Sequence, residues 1–372
     1  MTERSPLYDA TARSGAVFTE EADWTMPLHY GDPLAEYRQA HEGAVLFDLS
    51  HRGKVELTGP EAATFLHNLM TNDIKNLAYS HGCETFLCNV QARVLASALV
   101  YRLKIFDDPA FLSSHDAFWL DLDPGLNDKV VPHLDRHLIS ERAEIADRTR
   151  THAHLHLAGP QAHVLAEQEG IQGLAVHELM QHGCGDDTVQ LRRNDRLGVP
   201  AYDIICPSAA AEGVWHHWRE RGVHPAGLGA EAILRIEAGT PVYGKDITEA
   251  NLAPEVGRTP QAISYTKGCY LGQEPIVRLR DLGHVNRVLT GLRMEGSEPA
   301  PAGAKLWRDG KEVGQVTSSV VSPGLGSVIA LAYIRRGSSD SGTVLEVEIG
   351  SIRVKASSSA LPFSASTTGP RA

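Results

Sequence analysis

The sequence predicts an α+β protein: two related halves in tandem, each a helix-covered antiparallel sheet, followed by an all-β region. Three observations point there: an internal repeat, a second pair of matching segments in the same order, and a change of texture after Val285. Residues 55–66 read VELTGPEAATFL and residues 155–166 read LHLAGPQAHVLA. Each is a short alternating strand, a Gly-Pro step and a helix, and proline after a glycine turn is a helix start. Further on, FWLDLDPGLNDKVVPHLDRHL (118–138) and AYDIICPSAAAEGVWHHWRERG (201–222) each run strand, proline, helix. Each follows an earlier strand, LVYRLKI (99–105) or TVQLRRN (188–194). Two strand–helix–strand–strand–helix units predict two α+β halves. Beyond Val285 come LTGLRM, then AKLWRDGKEVGQVTSS with Asp309-Gly310 as a hairpin turn, then VIALAYI and TVLEVEIGSIRVKA. Short strands split by turn signals predict a small barrel or sandwich. The expected domains are 1–145, 146–283 and 284–363, with a disordered tail at 364–372, SASTTGPRA.

With 372 residues, the chain exceeds the roughly 250–300 residues at which single cores stop growing, so several domains are expected. A formal net charge of −11 argues against a general grip on nucleic acid or an anionic membrane. No run of 18 apolar residues occurs, so no membrane-spanning helix is expected. The opening MTERSPLYDATARSG carries Glu3 and Asp9 and has no apolar core, unlike a secretory or import leader. Five cysteines, 83, 88, 184, 206 and 269, make no disulfide framework. A reducing cytoplasm is the expected location.

The segment richest in chemistry is KGCYLGQE, residues 267–274. A helix is expected to start near Gly272, placing Cys269 just before its N-terminus with Lys267 two residues away. Both features favour a thiolate. Gly268 and Gly272 would let a ligand or another backbone come close. From residue chemistry alone, a buried cysteine in a glycine-punctuated turn stands as the alternative. His152, His154 and His156 alternate along one strand and share a face, but positions i to i+4 spread over roughly 13 Å, too far for one metal ion. They are expected to face solvent, with Ala153, Leu155 and Leu157 inward, and no metal site is expected. Cys83 and Cys88 lack a second pair for zinc, Cys206 is expected in the core, and His216-His217 on a helix face or in its packing. In GLGAEAILRIEAGTPVYGKDI (227–247), Gly239 and Gly244 bracket Tyr243, and Arg235 and Glu237 lie two apart. This is either an internal ion pair of a helix or part of a site. Walker, GxGxxG, HExxH and GxSxG patterns are absent, which removes most common enzyme classes.

Three segments, in order, resemble the glycine-cleavage T-protein superfamily: LFDLSHRGKVELTGPEAATFLHNLMTNDI (46–74), GLGAEAILRIEAGTPVYGKDI, and KGCYLGQE. The last looks like the hallmark of the YgfZ-type folate-binding branch. The resemblance spans about residues 30–355. It implies two ferredoxin-like α+β domains and a C-terminal antiparallel β-barrel around a central folate pocket, with tetrahydrofolate as cofactor. This sequence departs from the aminomethyltransferases of the family at two places. Their Gly-Gly-x-x-Asp-Asp run, which supplies the carboxylate assisting transfer, corresponds to Ala92-Arg93-Val94-Leu95-Ala96-Ser97, with no acid. An arginine that helps hold folate falls at Glu231. The folate-contacting carboxylate falls near Asp203. The resemblance therefore implies a folate-dependent helper in assembly or repair of iron–sulfur client proteins. Cys269 and Lys267 are its expected catalytic pair, supported by Gly268, Tyr270, Gly272, Gln273 and Glu274, with Asn72, Asp203, Arg235 and Tyr243 around the folate. The alternative is a tetrahydrofolate-dependent one-carbon transferase acting on a small amine or sulfonium donor, with a substitute acid such as Asp73. A non-catalytic folate-binding module is the third reading.

Overall fold

A computed structural model of the chain describes residues 2–106, 114–185 and 187–363. The tail expected at 364–372 lies outside the described residues. The chain forms two compact units. The first comprises Met1–Asp195, Val199–Glu231 and Pro260–Gln273; the second comprises Arg196–Gly198, Ala232–Thr259 and Glu274–Ala372.

The first unit carries the repeat. In one sheet the strands lie in the order Gly82–Cys88, Val94–Phe106, Ser114–Leu122, Gly53–Thr58, Glu144–Asp147. In the other the order is Leu179–Cys184, Asp187–Arg193, Ala201–Pro207, His152–Ala158, Val45–Asp48, His224–Ala226. The first four strands correspond one to one in chain order, and the ladders among them are antiparallel. The fifth position is exchanged. Val45–Asp48, which precedes the first repeat in sequence, pairs with His152–Ala158, whereas Glu144–Asp147, which precedes the second, pairs with Gly53–Thr58. A smaller sheet of Glu3–Arg4, Trp24–His29 and Val17–Glu21 completes the unit's strands.

Both Gly-Pro steps start helices, but with a difference of two residues. Pro160 is the first residue of Pro160–Gln168, whereas Ala62–Leu69 begins two residues after Pro60. Gly59 and Gly159 both hold positive φ, 109° and 119°, a region that side chains with a Cβ avoid. Each turn is also tightly packed: a Cβ would lie 2.5 Å from Arg142 O at Gly59 and 2.4 Å from Gly43 O at Gly159.

The His152–Ala158 strand reverses one expectation. Ala153, Leu155 and Leu157 do join the main core, with Trp215, Trp218, Ile204 and Cys206. His154 and His156, expected to face solvent, are 1% and 0% exposed. The strand is central in its sheet and covered on both faces, and the side chain opposite His156 in register is Asp203. A carboxylate in the same layer gives each buried imidazole one polar partner. His152 alone of the three stays half-exposed.

The second unit holds a closed six-stranded antiparallel barrel: Arg287–Met294, Ser327–Arg335, Lys311–Ser322, Lys305–Arg308, Val344–Ile349 and Ile352–Ser359. Leu292, Leu306, Val316, Ala330, Ile334 and Val347 help fill its interior. The expected Asp309-Gly310 turn is present, with φ of 51° and 72°, the two left-handed residues that a tight hairpin requires. Among the described residues, no helix is long and apolar enough to cross a membrane.

Gly59→Ala and Gly159→Ala should each lower stability by about 1–3 kcal/mol, read as a fall in the urea midpoint. Unchanged midpoints would mean that the two turns relax freely and do not set the helix starts.

Candidate functional site

Strand register builds a buried polar layer in the first unit. Asp203 stands between His156 on one neighbouring strand and Arg192 on the other. In the other sheet, Lys54 stands opposite Asp121. Asp203 accepts from His156 Nδ1 at 2.7 Å and from Asn194 Nδ2 at 2.6 Å, and His154 Nε2 lies 2.8 Å from the same Oδ1. Burial works to raise the Asp203 pKa, but His154 and His156 outweigh it and hold the carboxyl well below the usual carboxylate range.

Arg192 reaches from its sheet to Asp121 of the other at 2.8 Å, and its guanidinium lies 4.5 Å from the centre of the Tyr101 ring and 5.2 Å from that of Trp119. Trp119 Nε1 donates to Asp121 Oδ1 at 3.0 Å. Lys54 Nζ donates to Ser50 O and Arg52 O, at 2.9 and 2.7 Å. Burial lowers the Lys54 pKa to about 7, with Asp121 opposing the fall. Lys54, Asp121 and Arg192 were not anticipated from the sequence. The available signal was a charge inside an otherwise apolar strand, as in GKVELT, FWLDL and TVQLRR, a position where such residues are buried only when paired.

The KGCYLGQE segment lies on the end of the helix Ala62–Leu69. Lys267 Nζ donates to His67 O, to Met70 O at 2.6 Å and to Asn72 O at 2.9 Å. These three bonds fill the three donors of an ammonium, so Lys267 serves the carbonyls at the helix C-terminus. With its donors so committed, Lys267 has none left for the Cys269 thiol and could act on it only through its charge. Burial lowers its pKa to about 8, against Asp73 and Cys83. Leu271 N adds a bond to Asn68 O at 2.9 Å. Tyr270 is buried, with the Lys267 ammonium 4.8 Å from its ring centre. Gly268 and Cys269 are exposed. All five cysteines are free, and Cys269 is the one exposed; burial pushes Cys83 and Cys184 up to about 12.

Gly272, with φ of 84°, seats this loop on the hairpin between Gly82–Cys88 and Val94–Phe106: its missing Cβ would lie 2.5 Å from Asn89 O and 3.4 Å from Ala92 Cα. That hairpin is the acid-free stretch. Ala92 adopts a φ of 62° there, while Asn89 Oδ1 accepts from Gln91 N and Arg93 N, at 2.9 and 3.0 Å.

Asn72 also supports this region. Its Nδ2 donates to Glu84 O and Gln261 O, at 2.7 and 2.8 Å, and its Oδ1 accepts from Asp73 N. Asp73 accepts from Asn76 and lies 3.3 Å from His67 Nδ1.

The structure thus gathers Lys267, Gly268, Cys269, Tyr270 and Gly272 with Asn72 and Asp73, while Asp203 belongs to the buried layer. Gln273 opens the helix Gln273–Leu282 at the end of the first unit. Glu274, Arg235 and Tyr243 fall in the second unit. There Arg235 binds Asp246 at 2.7 Å and Ser318 at 2.9 Å, and Glu237 accepts from Ser322. The Arg235–Glu237 pair is therefore not internal to its helix. Tyr243 forms a bridge with Ile247. Among the described residues, no group of three or more His, Cys, Asp or Glu side chains is placed to hold a metal ion.

Comparison with known proteins gives a consistent picture. Residues 7–259 match the model of the GCVT N-terminal domain, and residues 287–364 match that of the glycine cleavage T-protein C-terminal barrel domain. An aminomethyltransferase of Rubrobacter xylanophilus is 29% identical over 335 residues, covering 89% of this chain and 87% of that protein. One from Desulforamulus reducens is 28% identical over 373 residues, covering 97% and 98%. The crystal structure of the glycine cleavage system aminomethyltransferase T from Bartonella henselae superposes with a TM-score of 0.88 at 25% identity, over 98% of this chain and 99% of that one.

Because the folded protein holds the Lys54 proton more weakly than the unfolded chain does, the unfolded chain carries the extra proton between about pH 7 and the ordinary lysine range. Stability due to this group therefore rises with pH across that window. Urea midpoints measured at about pH 6.5 and about pH 9.5 should show this rise, and Lys54→Met should remove it. Equal slopes in the two proteins would show that the ammonium is not desolvated.

Proposed function

The chain belongs to the glycine cleavage T-protein family, and from that premise we propose that it is a tetrahydrofolate-dependent one-carbon transferase acting on a small amine or sulfonium donor. The observation that carries this reading is the length of the likeness: both family domains match, and relatives named aminomethyltransferase align over 89–97% of the chain.

The buried layer suits a folate ring edge in chemistry. Among the described residues, His154 Nδ1, His156 Nε2, Arg192 Nε and Tyr101 Oη are buried without a hydrogen-bond partner. A carboxylate has about four acceptor positions, and three partners surround Asp203. A heterocycle bearing both donors and acceptors would satisfy such a set. When bound, tetrahydrofolate would supply the nitrogen that accepts the one-carbon unit. The residues of this chain would orient it and shield it from water.

The acid-free hairpin narrows the donor. Val94, Ala92 and Ala96 are buried where the family's acid would stand nearby, so no carboxylate of that run handles a proton. A sulfonium donor releases a neutral sulfide and needs no acid for its leaving group. With an amine donor the folate nitrogen that takes up the carbon loses a proton. Asp73, held against burial below the usual carboxylate range chiefly by its bonds from Asn76, is the group we assign to accept it. Glu231 replaces the arginine that grips folate in the resemblance, which should weaken hold on an anionic tail.

A second reading follows from Cys269. An exposed thiol on a loop anchored by Lys267 fits a YgfZ-type helper of iron–sulfur enzymes, with folate as a bound ligand. A purely folate-binding module would show neither donor turnover nor dependence on Cys269.

Titration of the chain with tetrahydrofolate should give saturable binding. Asp203→Asn should weaken it at least tenfold, and Cys269→Ser should leave it unchanged. Binding unaffected by Asp203→Asn would remove the buried layer from the site, and no saturable binding would sink the folate reading. Loss of iron–sulfur client activity in Cys269→Ser cells, with transfer intact, would favour the second reading.

A further inference from the structure

A pair of histidines in the helical half of the 118–138 segment, outside the candidate site, has the geometry of a ligand pair. His133 and His137 are one turn apart on the helix Asn127–His137, so their side chains lie on the same face. Their ring centroids are 4.5 Å apart, with planes tilted by 36°. Imidazole nitrogens bind zinc at about 2.1 Å, which puts a ring centroid roughly 3.2 Å from the ion. Two such rings on a tetrahedral ion would have centroids roughly 5.2 Å apart, and on neighbouring positions of a tetragonal copper ion roughly 4.5 Å, the separation found here.

The protonation pattern agrees with this arrangement. His137 Nδ1 lies 2.8 Å from His133 O. A carbonyl can only accept, so His137 Nδ1 is the donor there and Nε2 is the nitrogen available to a metal, the usual arrangement of a metal-binding histidine. His133 Nε2 is buried with no hydrogen-bond partner among the described residues. Lys129 and Arg136 share the helix with the pair. Lys129 is itself held by Leu95 O at 3.0 Å.

We propose that His133 and His137 form a two-imidazole site for a borderline divalent transition metal of the zinc or copper class, with water in the remaining positions. The site is independent of the folate reading. Two neutral nitrogens suit zinc and copper over magnesium or calcium, which take oxygen ligands. With only two protein ligands the coordination stays open, so the ion would be exchangeable.

The test is a Zn²⁺ titration of the full-length protein by calorimetry, with the imidazole ¹H–¹⁵N spectrum recorded in parallel. The wild-type protein should bind one equivalent that moves the Nε2 resonances of both His133 and His137. His133→Asn and His137→Asn should each weaken that equivalent at least tenfold. His216→Ala, at a histidine paired with Glu212 on another helix, should leave it intact. Identical isotherms for wild type and the double variant, or Nε2 resonances that do not move at one equivalent, would overturn the site. The wild-type spectrum decides the matter even if a variant folds poorly.

Discussion

The ion pair between Arg192 and Asp121 is the contact on which the first unit depends. Its side chains are 0% and 3% exposed, and it joins the two sheets that the repeat produces. Charges removed from water this completely are tolerated only when paired with an opposite charge. The surrounding residues follow from that demand: Trp119 donates to the carboxylate, Tyr101 and Trp119 lie against the guanidinium, and Gln190 accepts from Nη2 at 2.6 Å. Breaking one partner of such a pair costs about 3–5 kcal/mol, because the other charge is left uncompensated. Asp203, Lys54 and the two histidines extend the same layer, so the polar chemistry of the unit and its cohesion have one source.

The repeat was legible because it is written in local chemistry. Gly59 and Gly159 need positive φ, the prolines after them cannot continue a strand, and the alternating residues before them form central strands. Three strands of each sheet follow one another in chain order, whereas the first strand of each repeat pairs with the last of the three, a long-range ladder. The exchange of Val45–Asp48 and Glu144–Asp147 was not legible, since both are short apolar or mixed segments whose partners are distant in sequence. The barrel was readable from its turn residues, with Asp309-Gly310 the clearest case.

The site was legible in part. KGCYLGQE stands out by composition, and the structure does place it on a defined support. What the sequence did not disclose is where Lys267 points, because a lysine two residues from a cysteine reads as its partner until the carbonyls of a helix end compete for it. The histidines failed for a related reason. Alternation identifies a shared face, but only the register partner, Asp203, reveals that this face is buried. Spacing alone leaves Arg235 between a helix-internal pair and a site residue, and does not reveal its partners, Asp246 later in the same segment and Ser318 of the barrel.

Family membership and the acid-free hairpin together define the functional question: the chain has both domains of its family, a buried polar layer, and no carboxylate in residues 92–97. The most direct measurement is a single turnover with an isotopically labelled methyl group on a sulfonium donor, in the presence of tetrahydrofolate. The account predicts label in the folate product, with wild-type rate in Cys269→Ser. Label that stays on the donor, for sulfonium and amine donors alike, would contradict transfer and leave the fold as the only inheritance from the family.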